Sequence, residues 1–271
     1  TGVTAFALEA VPRITRAQAM DVLSSQANIA GYKAVLIAAN EYRRFLPLLM
    51  TAAGTVKAAR VLVLGAGVAG LQAIATARRL GGVVEAFDVR PAAKEQVESL
   101  GAKFVEVPVS ETERAQAETA GGYAREMSEE YKLRQSALVA ERARAADIII
   151  TTALVPGRPA PLLLPEDTVK SMKPGSVIVD LAVEQGGNCA LTERDRVVIT
   201  HGVRIAGYSN LPALVAADAS ALYARNLLNF VNLLVDPATG TLKIDRNDEI
   251  IAATLVCIDG MPARKHETSL A

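Results

Sequence analysis

Tryptophan is missing from this chain of 271 residues, and aromatic residues of all kinds make up only 4% of it. Histidine and cysteine are scarce, at two each. Cys189 and Cys257 lie far apart, so they make no disulfide framework, and with His201 and His266 they lack the clustered spacing of a structural zinc site. This usage fits a reducing compartment. An excess of one charge is lacking too: 29 basic and 29 acidic residues cancel to a net charge of +0. Nucleic-acid binding driven by counterion release therefore has no support. No uninterrupted apolar run reaches the ~18 residues of a membrane-spanning helix. The start, Thr1 to Ala7, carries no basic n-region and reads as neither signal nor transit peptide. It opens in an expected strand without an initiator methionine, and the expectation is a fragment or trimmed chain whose N-terminal sequence is missing.

What is abundant is aliphatic. Hydrophobic residues are 51% of the chain, mostly Ala, Val, Leu and Ile, which suits parallel strands covered by helices and rules out disorder. At ~100–200 residues per domain, the length allows one large or two smaller domains, with enough core to need no staple. From residue 60 onward, short apolar runs alternate with helical stretches. Strands are expected at 60–64, 83–87, 103–107, 147–151, 176–181, 197–200 and 203–206. Helices are expected at 68–80, 91–100, 122–146 and 165–172. This alternation predicts an α/β fold with a doubly wound parallel sheet. The flanks differ: 16–45 reads as a long helical segment broken at Ser24-Ser25, and 211–234 as another helix. They predict a second, discontinuous and here incomplete α/β domain from residues 1–23 and 210–271, around a nucleotide-binding domain at 24–209.

Gly65-Ala66-Gly67-Val68-Ala69-Gly70 matches G-x-G-x-x-G. The pattern alone is weak. Its context is specific, because it follows a strand, opens a helix and precedes the strand 83–87 ending in Asp88, 18 residues beyond Gly70. Gly65 makes the tight turn, Gly67 lets backbone approach a pyrophosphate, and Gly70 permits close helix–sheet packing. The helix N-terminus favours the negative charge. Asp88 is expected to accept both ribose hydroxyls and to repel a 2′-phosphate. Arg90 dissents, since it has the charge to pair with one. The strand-tip position of Asp88 favours NAD over NADP, and the bland alternative is a glycine turn beside an exposed aspartate.

The second cluster is Arg13-Ile14-Thr15-Arg16-Ala17-Gln18, followed by Asp21, Ser24 and Ser25. Thr15 and Gln18 have capping-box spacing, which makes Thr15 an expected N-cap and Gln18 its partner. Gln18, Asp21 and Ser24 or Ser25 also recur at three- and four-residue steps, on one helix face that Arg13 can join by pairing with Asp21. A solvated face and a functional face fit this pattern equally. Gly122 and Tyr123, after the polar stretch 110–120, form a candidate lid or an ordinary linker. Ala153 and Leu154, after the strand 147–151, lie where α/β sheets present ligand-facing loops, as do Asp180 to Glu184. The turn at Gly186-Gly187-Asn188 reads as structural, and His201-Gly202 as a turn between strands. No Ser-His-Asp, Cys-His or metal-type grouping stands out. Alcohol and amino-acid dehydrogenases need a base, whereas hydride exchange between two nicotinamides needs only positioning and exclusion of water.

The runs VPRITRAQAMDVLSSQANIAGYKAV, LVLGAGVAGLQAIATARRLG, FDVRP, ETAGGYA, TTALVPGRPAP and MKPGSVIVDLAVEQGGN resemble the NAD(H)-binding component of proton-translocating nicotinamide nucleotide transhydrogenases. Alanine dehydrogenases share the two-domain plan. The resemblance implies that NAD(H) is bound here and exchanges hydride with NADP(H) on a partner component. A membrane proton-channel component would couple the exchange to proton movement. It also implies a homodimer, cytoplasmic and peripheral at the inner face of the cell membrane. By the same resemblance, Arg13, Gln18, Asp21 and Ser24 match the nicotinamide group, with Ile14, Thr15 and Arg16 beside them. Gly65, Gly67, Val68 and Gly70 match the pyrophosphate turn. Asp88, Val89 and Arg90 match the adenosine-ribose segment, Gly122 and Tyr123 a mobile loop, and Ala153 and Leu154 the facing loop. A NAD-dependent alanine dehydrogenase and a non-catalytic NAD-binding module remain the alternatives.

Overall fold

The computed structural model describes residues 2–107, 129–155 and 157–263. The chain divides into two compact units, one of Thr1–Ala27 with Val215–Ala271 and one of Asn28–Leu214. Strand β1 (Ala5–Phe6) is followed by a 3₁₀ turn at Thr15–Met20 and helix α1 (Val22–Tyr42). A hairpin of β2 (Leu49–Thr51) and β3 (Gly54–Val56) then leads into the larger sheet.

That sheet has seven strands: β4 (Arg60–Leu64), β5 (Val83–Phe87), β6 (Lys103–Phe104), β7 (Ile148–Thr151), β8 (Val177–Asp180), β9 (Val197–Thr200) and β10 (Val203–Ala206). Their spatial order is β6-β5-β4-β7-β8-β10-β9. Every neighbouring pair is parallel except the hairpin of β9 and β10. Between them run α2 (Val68–Arg79), α3 (Ala93–Ser99), α4 (Glu129–Ala145) and α5 (Glu166–Lys170). Successive side chains of β4 point to opposite faces. Val61 and Val63 join Ile148, Ile150, Val177 and Val179 in one core with Ala34 and Val35 of α1 and Ile74 of α2. Leu62 and Leu64 join Ile149 and Ile178 in the other, with Val139 of α4 and Val169 of α5. Burial on both faces explains why these strands read as unbroken apolar runs.

The connections from β4 to β5 to β6 proceed one way across the sheet, and those from β7 to β8 the other. The order therefore reverses between β4 and β7, and the crevice at the carboxyl ends of those two strands is where such sheets bind ligands. The architecture is Rossmann-like.

The smaller unit holds α6 (Ala216–Leu234), α7 (Glu249–Thr254) and a three-stranded antiparallel sheet of β1, β11 (Leu255–Ile258) and β12 (Met261–Pro262). Its core gathers Ala17, Met20, Phe230, Leu234, Ile250 and Ile251. Phe6 meets Phe230 edge-to-face at 5.2 Å. Asp248 caps α7 by accepting from the Ile250 and Ile251 N–H groups, and Arg16 donates to the same carboxylate at 2.7 Å.

Several expectations are corrected. The segment 16–45 is not one helix broken at Ser24-Ser25: it is a 3₁₀ turn and an α-helix separated by Asp21, whose φ of −73° and ψ of 92° are extended. The helix expected over 211–234 begins as a 3₁₀ turn at Pro212–Val215. The strand expected over 103–107 covers only Lys103–Phe104, because at the sheet edge it has β5 alone to pair with. The β2–β3 hairpin adds to the expected elements. Helix 122–146 is seen from Glu129 to Ala145, its expected start lying outside the described residues.

Candidate functional site

The glycine turn sits at the reversal point. Gly65 has φ of +102°, a left-handed value that favours glycine, and a Cβ there would press on the Thr152 hydroxyl at 2.6 Å. The hydroxyl instead donates to the Gly65 carbonyl at 3.0 Å, joining the loop after β7 to the turn after β4. A Cβ on Gly70 would collide with the Gly65 carbonyl oxygen, so α2 crosses the strand end at a distance only glycine allows. Gly67 differs from both. Its φ of −77° is ordinary, and a Cβ would meet nothing within 4 Å. Gly67 is the N-cap of α2, and the first N–H groups of a helix have no partner within it. Open space above that end suits an anion.

Asp88 stands just past the end of β5 with a side chain only 7% exposed. Its Oδ2 accepts from the Ala66 N–H at 2.7 Å, and its Oδ1 from the Arg90 N–H at 2.8 Å. The Arg90 guanidinium adds two more bonds, Nε to Oδ1 at 2.9 Å and Nη2 to Oδ2 at 3.0 Å. Burial pushes the carboxyl up, but the bonds from Arg90 and Ala66 outweigh it and hold the group below its ordinary value. Asp88 is therefore ionised. The expectation of an exposed carboxylate with both oxygens free is corrected: Arg90 covers it. Val89 beside it is exposed.

Beyond β7, Asn188 fixes the facing loop. Fully buried, it donates to the Ala153 and Pro161 carbonyls at 2.9 and 2.8 Å and accepts from the Ala153 N–H at 3.1 Å. Asp180, equally buried, accepts from the hydroxyls of Thr151 and Thr192 and from the N–H groups of Ala182, Asn188 and Cys189. The turn at 186–188 is structural, as read from sequence, and its structural work is to hold Ala153. Leu154, the next residue, projects as an exposed side chain.

In the smaller unit, Ile14 rather than Thr15 precedes the 3₁₀ turn, and no side chain caps it. The expected Thr15–Gln18 capping box is not made. Asp21 is the cap that forms: its carboxylate accepts from the Ser24 N–H at 2.9 Å and from the Ser24 hydroxyl at 2.6 Å, at the start of α1. Asp21 and Ser24 are thus brought together as expected, but by a helix cap. No ion pair joins Arg13 to Asp21 among the described residues, and Arg13, Thr15, Arg16 and Gln18 are exposed. Sequence reasoning missed Asn226. This nearly buried side chain on α6 donates to the Ala19 carbonyl at 2.8 Å and accepts from Ser25 Oγ at 2.8 Å, pinning the residue next to Gln18. Its only signal was an asparagine within an otherwise apolar helix.

Gly122 and Tyr123 lie outside the described residues, as does His266. His201 has φ of +53° in the tight turn between β9 and β10, with Nε2 3.1 Å from Glu166. Cys189 is buried, and burial raises its thiol above the ordinary value. Among the described residues no His, Cys, Asp and Glu grouping could hold a metal ion.

These features define a dinucleotide-binding α/β unit. A family model described as alanine dehydrogenase/PNT, C-terminal domain, matches residues 34–265, and the chain belongs to that family. It is 58% identical over 258 residues to a NAD(P) transhydrogenase alpha subunit of Rhodospirillum rubrum, a match that spans 95% of this chain and 67% of that protein. A transhydrogenase structure from Sinorhizobium meliloti matches with a TM-score of 0.83 at 55% identity, over 96% of this chain and 68% of that one. An L-alanine dehydrogenase matches with a TM-score of 0.72 at 28% identity, over 97% of this chain and 66% of that one. The chain spans about two thirds of the length of each of these proteins.

Proposed function

We propose that this chain is the NAD(H)-binding portion of a NAD(P) transhydrogenase. The observation that carries the reading is the Gly65–Gly70 turn, open above Gly67 at the sheet's reversal point, in a chain 58% identical to a transhydrogenase alpha subunit. The residues fit a dinucleotide. The N-terminus of α2 at Gly67 and Val68 would hold the pyrophosphate, Asp88 to Arg90 the adenosine ribose, and Ala153 and Leu154 the wall after β7. Gly122 and Tyr123 are proposed as a covering loop. When bound, NAD(H) would supply or accept the hydride exchanged with NADP(H) on a partner component.

Arg13, Gln18, Asp21 and Ser24 are proposed as the nicotinamide-end group. The Gln18 amide carries both a donor and an acceptor, which matches a carboxamide in both senses. Asp21 and Ser24 already satisfy each other, so their contribution would be to fix where Gln18 and Arg13 start from. No side-chain acid or base is required, because hydride exchange between two nicotinamides moves no proton. Alignment supplies the rate: well-oriented reactants gain ~7–11 kcal/mol over free encounter. Coupling to proton movement by a membrane component, a homodimer and a cytoplasmic location at the membrane face belong to the same proposal. Among the described residues no helix is long and apolar enough to cross a membrane.

The test is binding followed by transfer. The reading expects NADH to bind more tightly than NADPH by calorimetry, and hydride to pass only when an NADP(H)-binding component is added. Equal affinities, or NADH production from alanine and NAD without a partner, would replace it with the alanine dehydrogenase or the binding-module reading.

A further inference from the structure

We propose that Arg90 is a latch on Asp88, one that an adenosine ribose must displace, and that it sets both the affinity for NAD(H) and the discrimination against NADP(H). The inference rests on the cofactor reading above and goes beyond it. A carboxylate offers about four acceptor sites on its two oxygens. In Asp88 all four are taken: two by the Ala66 and Arg90 N–H groups and two by the Arg90 guanidinium. The backbone pair belongs to the turns themselves and stays. The guanidinium pair belongs to a side chain that is 46% exposed and free to turn away.

A ribose diol needs two acceptors. At this carboxylate it obtains them only by replacing Nε and Nη2 of Arg90, hydroxyl for N–H, with no atom or charge transferred. The empty site thus presents an approaching pyrophosphate with a neutralised pair and no bare carboxylate. A 2′-phosphorylated ribose fares worse on either route. Its 2′-oxygen has no proton to donate to Asp88, so it does not replace the bonds it breaks. Attracting the guanidinium to the phosphate instead leaves two anions side by side, which is unfavourable. The latch therefore lowers NAD(H) affinity while making NADP(H) binding still less favourable, and it suits a site that exchanges NAD(H) at each turnover.

The test compares the full-length protein with its Arg90→Ala and Arg90→Gln variants, using NADH, NADPH and the 2′-deoxyadenosine analogue of NADH as probes. Removing the guanidinium is expected to tighten NADH by about three- to fivefold, what a half-exposed bidentate pair is worth. The analogue, with one hydroxyl fewer to exploit the freed oxygens, should gain less. NADPH should gain nothing, so the preference for NADH widens. In the parent protein, the Arg90 Nε–H resonance should be protected from exchange without ligand and lose that protection on adding NADH. NADH binding that is unchanged or weaker in both variants, with unaltered melting, would overturn the latch while leaving the cofactor site standing. Absence of NADH binding by the parent protein would instead overturn the cofactor reading, and the latch with it.

Discussion

The two glycines that open and close the first turn of α2 make opposite demands, and substituting each with alanine separates folding from binding. At Gly67 the new methyl meets nothing within 4 Å and the φ of −77° suits alanine. An alanine N-cap is poorer than glycine by up to ~1 kcal/mol, while the stiffer unfolded chain returns ~0.4–1 kcal/mol. The net change in stability is within about 0.5 kcal/mol. The methyl does occupy the open space over the helix end where a pyrophosphate would rest, so NADH binding should weaken by about tenfold or more, or ~1.4 kcal/mol. At Gly70 the methyl collides with the Gly65 carbonyl oxygen. Overpacking of that kind costs ~1–3 kcal/mol. A cost near 2 kcal/mol lowers the melting temperature by roughly 4–8 °C in a chain of this size. The assay is a thermal melt beside an NADH fluorescence titration for parent, Gly67→Ala and Gly70→Ala. Parent-like NADH affinity in a Gly67→Ala protein that melts normally would refute the argument, because the open space would then not be where the cofactor lies.

Three further outcomes follow from the geometry. Gln18→Ala removes an exposed side chain that caps nothing, so melting should move by no more than about 0.5 kcal/mol, while the rate of hydride transfer drops tenfold or more; stopped-flow transfer with the NADP(H)-loaded partner reads the second effect. Asn226→Ala removes the bonds to Ala19 and Ser25, leaving Asn229 still donating to the Ala19 carbonyl at 3.1 Å. The expected cost is ~1–2 kcal/mol by denaturant melt, with transfer slowed more than NADH binding is weakened. Asp88, whose folded value is depressed, contributes stability that is fully present above its ordinary value of 3.8 and is lost as the pH falls through the lower folded value. The melting advantage of the parent over Asp88→Asn, worth about 1 kcal/mol for a pair this exposed, should hold from neutral pH down to about pH 5 and shrink below pH 4; an advantage that grows with acid would reverse the assignment.

The sheet was legible because its central strands are buried on both faces, so Val61 to Leu64 and Ile148 to Ile150 admit no polar residue and stand out as runs. The glycine turn was legible because the chain conformation at Gly65 and the close approach at Gly70 exclude other residues. Polar contacts were less so. Thr15-x-x-Gln18 and Asp21-x-x-Ser24 both have the spacing of an N-cap and its partner, and only packing of Ala17 and Met20 into the core decided that the chain turns as a 3₁₀ segment and starts α1 after Asp21. That Arg90 closes over Asp88 depends on a rotamer, which spacing does not encode. Asn226 lies 201 residues from the serine it bonds, and no local pattern carries a pairing of that range.

The central claim is direct hydride exchange with NADP(H) on a partner, and isotope transfer tests it most directly. NADH deuterated at the transferable position would be bound to this protein and mixed with an NADP-loaded partner component in ordinary water. The account predicts NADPH that carries the deuterium without dilution by solvent hydrogen, formed at a rate that Gln18→Ala lowers. Deuterium lost to water, or oxidation of NADH that proceeds only with pyruvate and ammonia and without the partner, would contradict it.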